Sequence, residues 1–211
     1  MQEIYLLSGL GADQRVFDYL DLSDYKVSHI NWITPLTHES IRQYATRLLE
    51  QIHTNHPVLV GVSFGGMMAI EIGKLIAVKQ IILISSAQTR SDLPFYYRIA
   101  GGLGLNKLIP APLLKNANAF TYWFFGAATE EEKELLKAIV KDTDITFLKW
   151  AIHQIVNWKN EAVLNHVSSI HGTSDRLLPN KSPDFKIRDG GHLMIVNKAT
   201  EINGLLKVII T

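Results

Sequence analysis

VLVGVSFGGMMAI, residues 58–70, is the stretch that decides the fold of this chain. The apolar, β-branched run 58–62 is typical of a buried strand, and residues 65–75 are predicted to form a buried helix. Between them lies the pattern Gly-x-Ser-x-Gly at 61–65. Where a strand turns sharply into a helix, the middle residue is strained, and the two glycines keep the neighbouring backbone free of clashes. We therefore predict that Ser63 presents its hydroxyl, as a nucleophile, at the carboxyl end of the strand.

Strands and helices alternate on both sides of this stretch. Short apolar runs predict strands at 4–7, 26–32, 80–84, 167–171 and 185–187. Helical spacing predicts a helix at 41–52 that Thr37 caps, and a last helix at 199–209. Strands that are apolar on both faces and alternate with helices indicate an α/β fold. We expect a mostly parallel sheet of about six strands with helices on both faces.

Residues 91–160, here called the helical insert, break this alternation because helices dominate there and no strand is predicted. Thr129 and Glu132 form a capping box ahead of one helix, and a second apolar stripe runs over 145–156. The insert holds 11 of the 19 aromatic residues. We interpret it as an all-helical cap within one α/β core that comprises residues 1–90 and 161–211. Such a cap would exclude water from Ser63 and line an apolar pocket.

Two further residues have the chemistry that a serine nucleophile needs. A serine hydroxyl is a poor nucleophile until a base takes its proton, and the base needs a third group to orient it. Asp175 follows the strand at 167–171, and His192 follows the strand at 185–187. Both residues are therefore expected at the same edge of the sheet as Ser63. The order serine, aspartate, histidine along the chain is that of nucleophile-elbow enzymes.

The composition excludes several other kinds of protein. The 211 residues include no cysteine, which rules out disulfides, thiolate metal sites and a cysteine nucleophile. A net charge of +1 gives no long-range attraction to phosphate backbones, so we expect no nucleic-acid partner. We predict neither a signal peptide nor a membrane span, and we expect a cytoplasmic location. No spacing of His, Asp and Glu is typical of a metal site, and we expect no metal and no cofactor.

The chain resembles the α/β-hydrolase superfamily from end to end. The resemblance rests on Gly61 to Gly65, on His171-Gly172 to Asp175, on Gly191-His192, and on the Ser8-Gly9-Leu10-Gly11 turn. It implies that Ser63 is the nucleophile, Asp175 the orienting acid and His192 the base. It also implies an oxyanion hole made by the backbone N–H groups of Leu10 and Phe64. The family commonly has His-Gly where this chain has Ser8-Gly9.

Three other residues compete for roles in this site. Some superfamily members carry the acid one strand earlier, which makes Asp92 the alternative to Asp175. His171 ends a strand, where a structural hydrogen bond is the expected role of a histidine. His153 lies at the edge of an apolar helical stripe, and there we expect packing rather than chemistry.

The resemblance implies a cofactor-independent serine hydrolase, carboxylesterase-like and of class EC 3.1.1. Its substrate is expected to be a small, largely apolar ester. A serine at position 63 argues against the dehalogenase and epoxide-hydrolase chemistry of this fold, which uses an aspartate there. A C–C bond hydrolase, a lyase or a synthase that uses the same three residues remains an alternative, as does a ligand-binding protein on a hydrolase fold. The sequence leaves the oligomeric state open.

Overall fold

The computed structural model describes residues 2–108 and 110–210. The strands of these residues form a single parallel sheet in the order β2-β1-β3-β4-β5-β6. Their bounds are β1 Glu3–Leu7, β2 Lys26–His29, β3 Val58–Val62, β4 Gln80–Ile84, β5 Val167–Gly172 and β6 Phe185–Ile187. The predicted α/β class, with a parallel sheet of about six strands, is confirmed.

Helices cover both faces of this sheet. Those outside the helical insert are α1 Ile41–Leu48, α2 Phe64–Gly73, α8 Met194–Asn197 and α9 Ala199–Ile209. Successive strand residues point to opposite faces. Ile4 and Leu6 therefore pack in the same cluster as α8 and α9, whereas Tyr5 and Leu7 pack with α1 and α2. The predicted helices on both faces are confirmed.

In its described residues the helical insert contains helices and no strand. These helices are α3 Phe95–Gly102, α4 Ala111–Leu114, α5 Ala119–Phe125, α6 Glu130–Asp142 and α7 Ile145–Val156. The predicted capping box of Thr129 and Glu132 is present at the start of α6. Leu136 of α6 belongs to the apolar cluster on one face of the sheet, and Phe147 of α7 to the cluster on the other. The boundaries of the insert, 91 and 160, stay a prediction.

The strand order reverses between β1 and β3. From β1 the chain moves to β2 on one side, and it then returns to β3 on the other side of β1. The loops that leave the carboxyl ends of β1 and β3 therefore diverge and open a crevice, the usual ligand position in open α/β sheets. The loop 8–12 and Ser63 both lie at this point.

The residue that caps helix α1 differs from the predicted one. The prediction that Thr37 caps α1 is wrong, because Ser40 and Gln43 form the capping box there. The N–H of Glu39 donates to the carbonyl of Leu36, and this turn separates Thr37 from the helix.

Among the described residues, no helix combines the length and the apolarity that crossing a bilayer requires.

Candidate active site

Ser63 occupies the sharp turn between β3 and α2. Its backbone has φ 52° and ψ −120°, a strained conformation for a residue with a side chain. Hydrogen bonds on both sides hold it there: the N–H of Ser63 donates to Ile84 O at 3.0 Å, and Ser86 Oγ donates to Ser63 O at 2.6 Å. The turn leaves the side chain partly exposed at the carboxyl edge of the sheet. This is the position that the sequence pattern predicts.

Glycines next to Ser63 allow the close approach of backbone that this turn needs. A Cβ at Gly61 would lie 2.5 Å from the carbonyl oxygen of Gly65, and a Cβ at Gly65 would overlap the carbonyl of Leu7. A Cβ at Gly9 would lie 3.3 Å from Ser63 Cβ, so the loop after β1 packs directly against the serine. Side chains at these positions would push the strand, the helix and this loop apart.

His192 connects Ser63 to Asp175. Its Nε2 lies 2.9 Å from Ser63 Oγ, and its Nδ1 lies 2.9 Å from Asp175 Oδ2. Because a carboxylate only accepts, Nδ1 carries the proton, and Nε2 is free to accept the hydroxyl proton of Ser63. The loops of the two residues are joined as well, since Ser174 N–H donates to Gly190 O at 2.9 Å. The structure thus brings the three predicted residues into one hydrogen-bonded chain.

The carboxylate of Asp175 is buried and fully paired. Its Oδ1 accepts the N–H groups of Leu177 and Leu178, both at 2.9 Å, and its Oδ2 accepts from His192. Burial alone would raise the pKa of Asp175. The electrostatic interaction with His192 and the hydrogen bonds from His171, His192 and Leu178 outweigh that effect and hold the pKa well below the ordinary aspartate value. Asp175 is therefore an anion that is fixed in place beside an imidazole.

His171 is a second histidine on the same carboxylate, a contact that the sequence does not reveal. Its Nε2 lies 3.2 Å from Asp175 Oδ2 and also contacts the carbonyl oxygen of Leu178. Both partners are acceptors, so Nε2 carries the proton. Nδ1 is buried and has no hydrogen-bond partner among the described residues. In the sequence, the spacing of four residues between His171, at the end of β5, and Asp175 is a weak sign of this contact.

The two residues whose amides the resemblance implies for the oxyanion hole, Leu10 and Phe64, line the same cavity as Ser63. Phe64 is the first residue of α2, so its N–H has no acceptor within the helix. Leu10 lies in the turn after β1. Ser8 stabilises this turn, because its hydroxyl donates to Ala12 O at 2.9 Å and accepts from Trp32 Nε1 at 3.0 Å. Ser8, at the position where the resemblance leads one to expect a histidine, thus has a structural role of its own.

An apolar cavity of about 430 Å³ opens at Ser63. Sheet loops supply one wall, including Leu10, Leu177 and Leu178, and the helical insert supplies the other. Most of its lining side chains are aliphatic or aromatic. From the insert these are Tyr97, Ala100, Leu105, Phe125, Ile152, Ile155 and Val156. The volume lies within the range of cavities that hold small ligands.

The helical insert also contacts the loops of the candidate acid and base. Tyr97 OH donates to Leu177 O at 3.0 Å, and burial raises the pKa of its phenol. The ring of Phe125 meets the His192 imidazole edge to face, with centroids 5.5 Å apart. The N–H of Leu193, the next residue, donates to Phe125 O at 2.9 Å. The helical insert, which lines the cavity, therefore contacts the loops that carry the candidate acid and base directly.

Asp92, the alternative acid, lies in a different setting. Its Oδ2 accepts hydrogen bonds from the N–H groups of Gln88 and Thr89, at 3.0 and 2.8 Å. These bonds form the cap of a short 3₁₀ helix, Arg90–Asp92. In the described residues its carboxylate makes no hydrogen bond or ion pair with a histidine. Its contacts are those of a capping residue.

Comparisons with known proteins show the fold. A model of the uncharacterised protein family UPF0227 matches residues 14–94, which is less than half of the chain. None of the curated proteins compared with the sequence matches it.

Solved structures are similar over the whole chain. An esterase from Exiguobacterium antarcticum has a TM-score of 0.76 at 16% identity and covers 100% of this chain and 92% of its own. A thermophilic esterase from Thermogutta terrifontis has a TM-score of 0.70 at 16% identity, with 100% and 91% covered. A bromoperoxidase from Bacillus anthracis has a TM-score of 0.69 at 17% identity, with 99% and 91% covered. The chain has the α/β-hydrolase fold.

Proposed function

We propose that this α/β-hydrolase-fold chain is a cofactor-independent serine hydrolase that cleaves small, largely apolar carboxylic esters through an acyl-enzyme. The observation that carries the proposal is the continuous hydrogen-bonded chain Ser63 Oγ, His192, Asp175, with both links at 2.9 Å. Fold alone does not determine activity, whereas this arrangement of atoms supplies a nucleophile, a base and an orienting anion.

The proton and electron movements follow from the hydrogen bonds. His192 Nε2 takes the hydroxyl proton as Ser63 Oγ attacks the ester carbonyl carbon, and the carbonyl electron pair moves onto oxygen. Collapse of this adduct expels the alcohol, which takes the proton from His192. A water molecule then repeats the sequence on the acyl-enzyme and releases the acid. Asp175 stays ionised and keeps Nε2 directed at the serine throughout.

The N–H groups of Leu10 and Phe64 are proposed to hold the negative oxygen of the adduct. The proposal is supported by the position of Leu10 in the turn after β1 and of Phe64 at the start of α2, since both line the cavity at Ser63. Each oxyanion donor of this kind is worth roughly 3 kcal/mol of barrier. The positive end of α2 adds to the same stabilisation.

The apolar cavity supports an uncharged acyl or alcohol group as the substrate's main recognition element. Its walls offer dispersion contacts and few hydrogen bonds, and no Lys or Arg side chain is among its lining residues in the described part of the chain. The helical insert acts in this proposal as the cap over Ser63.

A fluorophosphonate probe tests the proposal, because it forms a stable adduct only with an activated serine. We expect the wild-type protein to be labelled and Ser63→Ala to remain unlabelled. Ser23→Ala, which removes an exposed serine before β2, is the matched control and should label like the wild type. Labelling of both wild type and Ser63→Ala, or of neither, would contradict the mechanism. Hydrolysis of p-nitrophenyl esters of increasing acyl length then measures the substrate range.

A further inference from the structure

Two cavities of very different size adjoin Ser63. The apolar cavity described above has a volume of about 430 Å³, and a second one, here called the small cavity, has about 30 Å³. Ser63, Leu10 and Phe125 line both of them, so these residues mark the place where the two cavities adjoin. An ester bound at Ser63 has two groups to accommodate, the acyl chain and the alcohol. The two cavities offer a separate place for each.

The walls of the small cavity are mostly buried and apolar. They include Val16, Val62 and Ile195, together with Leu136 and Ile139 of helix α6. All five residues belong to one apolar cluster, and the close packing of such a core keeps the cavity at its size. One water molecule takes up about 30 Å³ in the liquid. The small cavity therefore accommodates a water molecule or a methyl group, but not a longer chain.

The position of His192 determines which cavity receives the alcohol. Among the described residues, His192 lines the small cavity and is not part of the lining of the apolar cavity. In the proposed mechanism, its Nε2 gives a proton to the alcohol oxygen as the bond between that oxygen and the acyl carbon breaks. This oxygen must therefore lie within hydrogen-bonding reach of Nε2, on the side of the small cavity. The acyl chain then extends into the apolar cavity.

We propose that the preferred substrates are methyl esters of larger apolar carboxylic acids, with the methoxy group in the small cavity and the acyl chain in the apolar cavity. This inference rests on the proposed ester hydrolysis and deepens it. The small cavity then serves both halves of the reaction. After methanol has left, one water molecule takes its place beside His192, gives a proton to Nε2 and attacks the acyl carbon. Water and a methoxy group differ by one carbon, so one cavity of this size accommodates each in turn.

Two isomeric alkyl esters test the inference. Methyl octanoate and heptyl acetate contain the same atoms, but one carries its bulk on the acid and the other on the alcohol. We expect wild-type kcat/KM, measured as acid release at constant pH, to be about tenfold higher for methyl octanoate. Alkyl esters are the appropriate probes, because p-nitrophenolate leaves without a proton from His192. Equal values for the two isomers, or a preference for heptyl acetate, would overturn the inference.

Variants of the cavity walls test the assignment of the small cavity. Ile139→Val and Leu136→Val each remove one carbon from its wall at a small cost to the core. In at least one of them, the ratio of kcat/KM for ethyl octanoate to that for methyl octanoate should rise by about three- to fivefold. Ile152→Val is the matched control, because it makes the same change in the wall of the apolar cavity and should leave this ratio as it is. An unchanged ratio in both small-cavity variants, or an equal rise in the control, would contradict the proposed position of the alcohol.

Failure of this inference differs from failure of the proposed function. A wild-type protein that no fluorophosphonate labels, and that cleaves none of the esters, contradicts the hydrolase proposal. A protein that is labelled at Ser63 and cleaves heptyl acetate at least as fast as methyl octanoate, or cleaves neither, overturns only the preference for methyl esters.

Discussion

The loops at the strand ends and the helical insert form opposite walls of one cavity by different physical means. Ser63, Asp175 and His192 each follow a strand of the parallel sheet, and the backbone around them is fixed by ladders and close glycine contacts. The insert is built of helices that pack on that sheet, with exposed rings such as Phe120 and Trp123. Under the proposed function, bond cleavage is therefore assigned to the sheet and selection of the substrate to the insert.

Both regions contain a buried polar atom that has no hydrogen-bond partner among the described residues: His171 Nδ1 at a strand end and Asn106 Oδ1 in the insert. In the strand-end loops both carboxylate oxygens of Asp175 accept two donors each. Saturated pairing holds the carboxylate in one geometry.

The largest predicted effect is in the strand-end loops. Asp175→Asn should lower kcat for a short-chain ester by about 10³- to 10⁴-fold, because an amide can no longer hold His192 in the required tautomer. Asp92→Asn is the matched control and should leave kcat within about twofold of the wild type, since Asp92 only caps a 3₁₀ helix. Steady-state kinetics on both variants decide between the two aspartates. Near-wild-type turnover of Asp175→Asn would show that Asp175 is not the orienting acid.

The parts of the molecule that local pattern controls were predictable from the sequence. Strand β4 and helix α7 have the predicted bounds, Gln80–Ile84 and Ile145–Val156. Ser63, Asp175 and His192 each follow a predicted strand, and this placed them at one sheet edge, because parallel strands share their carboxyl ends. Helix α8 was not predicted, because four residues are too few to show a helical period.

Contacts between residues far apart in the chain could not be predicted from the spacing of apolar residues. Asn106 and His153 are 47 positions apart, and their meeting depends on how the insert helices pack. His171 was predicted to make a structural hydrogen bond, and its link to Asp175 depends on the path of the loop between them. Such packing is decided by side-chain shape across elements, which hydrophobic spacing does not record.

His171 provides a smaller test within the strand-end loops. His171→Leu removes one donor from Asp175, so the carboxylate is held less firmly, and kcat should fall by about tenfold, the loss expected for one charged hydrogen bond. His171→Gln retains an N–H donor and should recover part of this loss. Stopped-flow or steady-state ester hydrolysis measures both variants. Equal losses in the two variants, with lowered melting temperatures, would assign His171 to packing alone.

Acid pH tests the pairing of Asp175 through stability rather than turnover. The pKa of Asp175 is lowered in the folded chain, so its pairing contributes stability that is fully present above the unfolded value of 3.8. That contribution is lost as the pH falls below 3.8 toward the folded pKa. We expect the difference in unfolding free energy between wild type and Asp175→Asn to shrink over this range. Urea titrations from pH 6 down to pH 2.5 measure it, and a constant difference would contradict the lowered pKa.

The smallest predicted effect lies where the two walls meet. Tyr97→Phe removes the donor to Leu177 O and should lower the free energy of unfolding by about 1 kcal/mol, the typical value of one neutral hydrogen bond. Because Leu177 also donates to Asp175, kcat/KM should fall by about two- to threefold. Tyr96→Phe is the matched control, since the neighbouring Tyr96 is exposed and its hydroxyl has no hydrogen-bond partner within the described residues. A loss of stability without a change in kcat/KM would show that the insert is anchored at Tyr97 without influencing the acid. The proposed catalytic loops of the sheet would then work independently of the insert, even though Tyr97 contacts them.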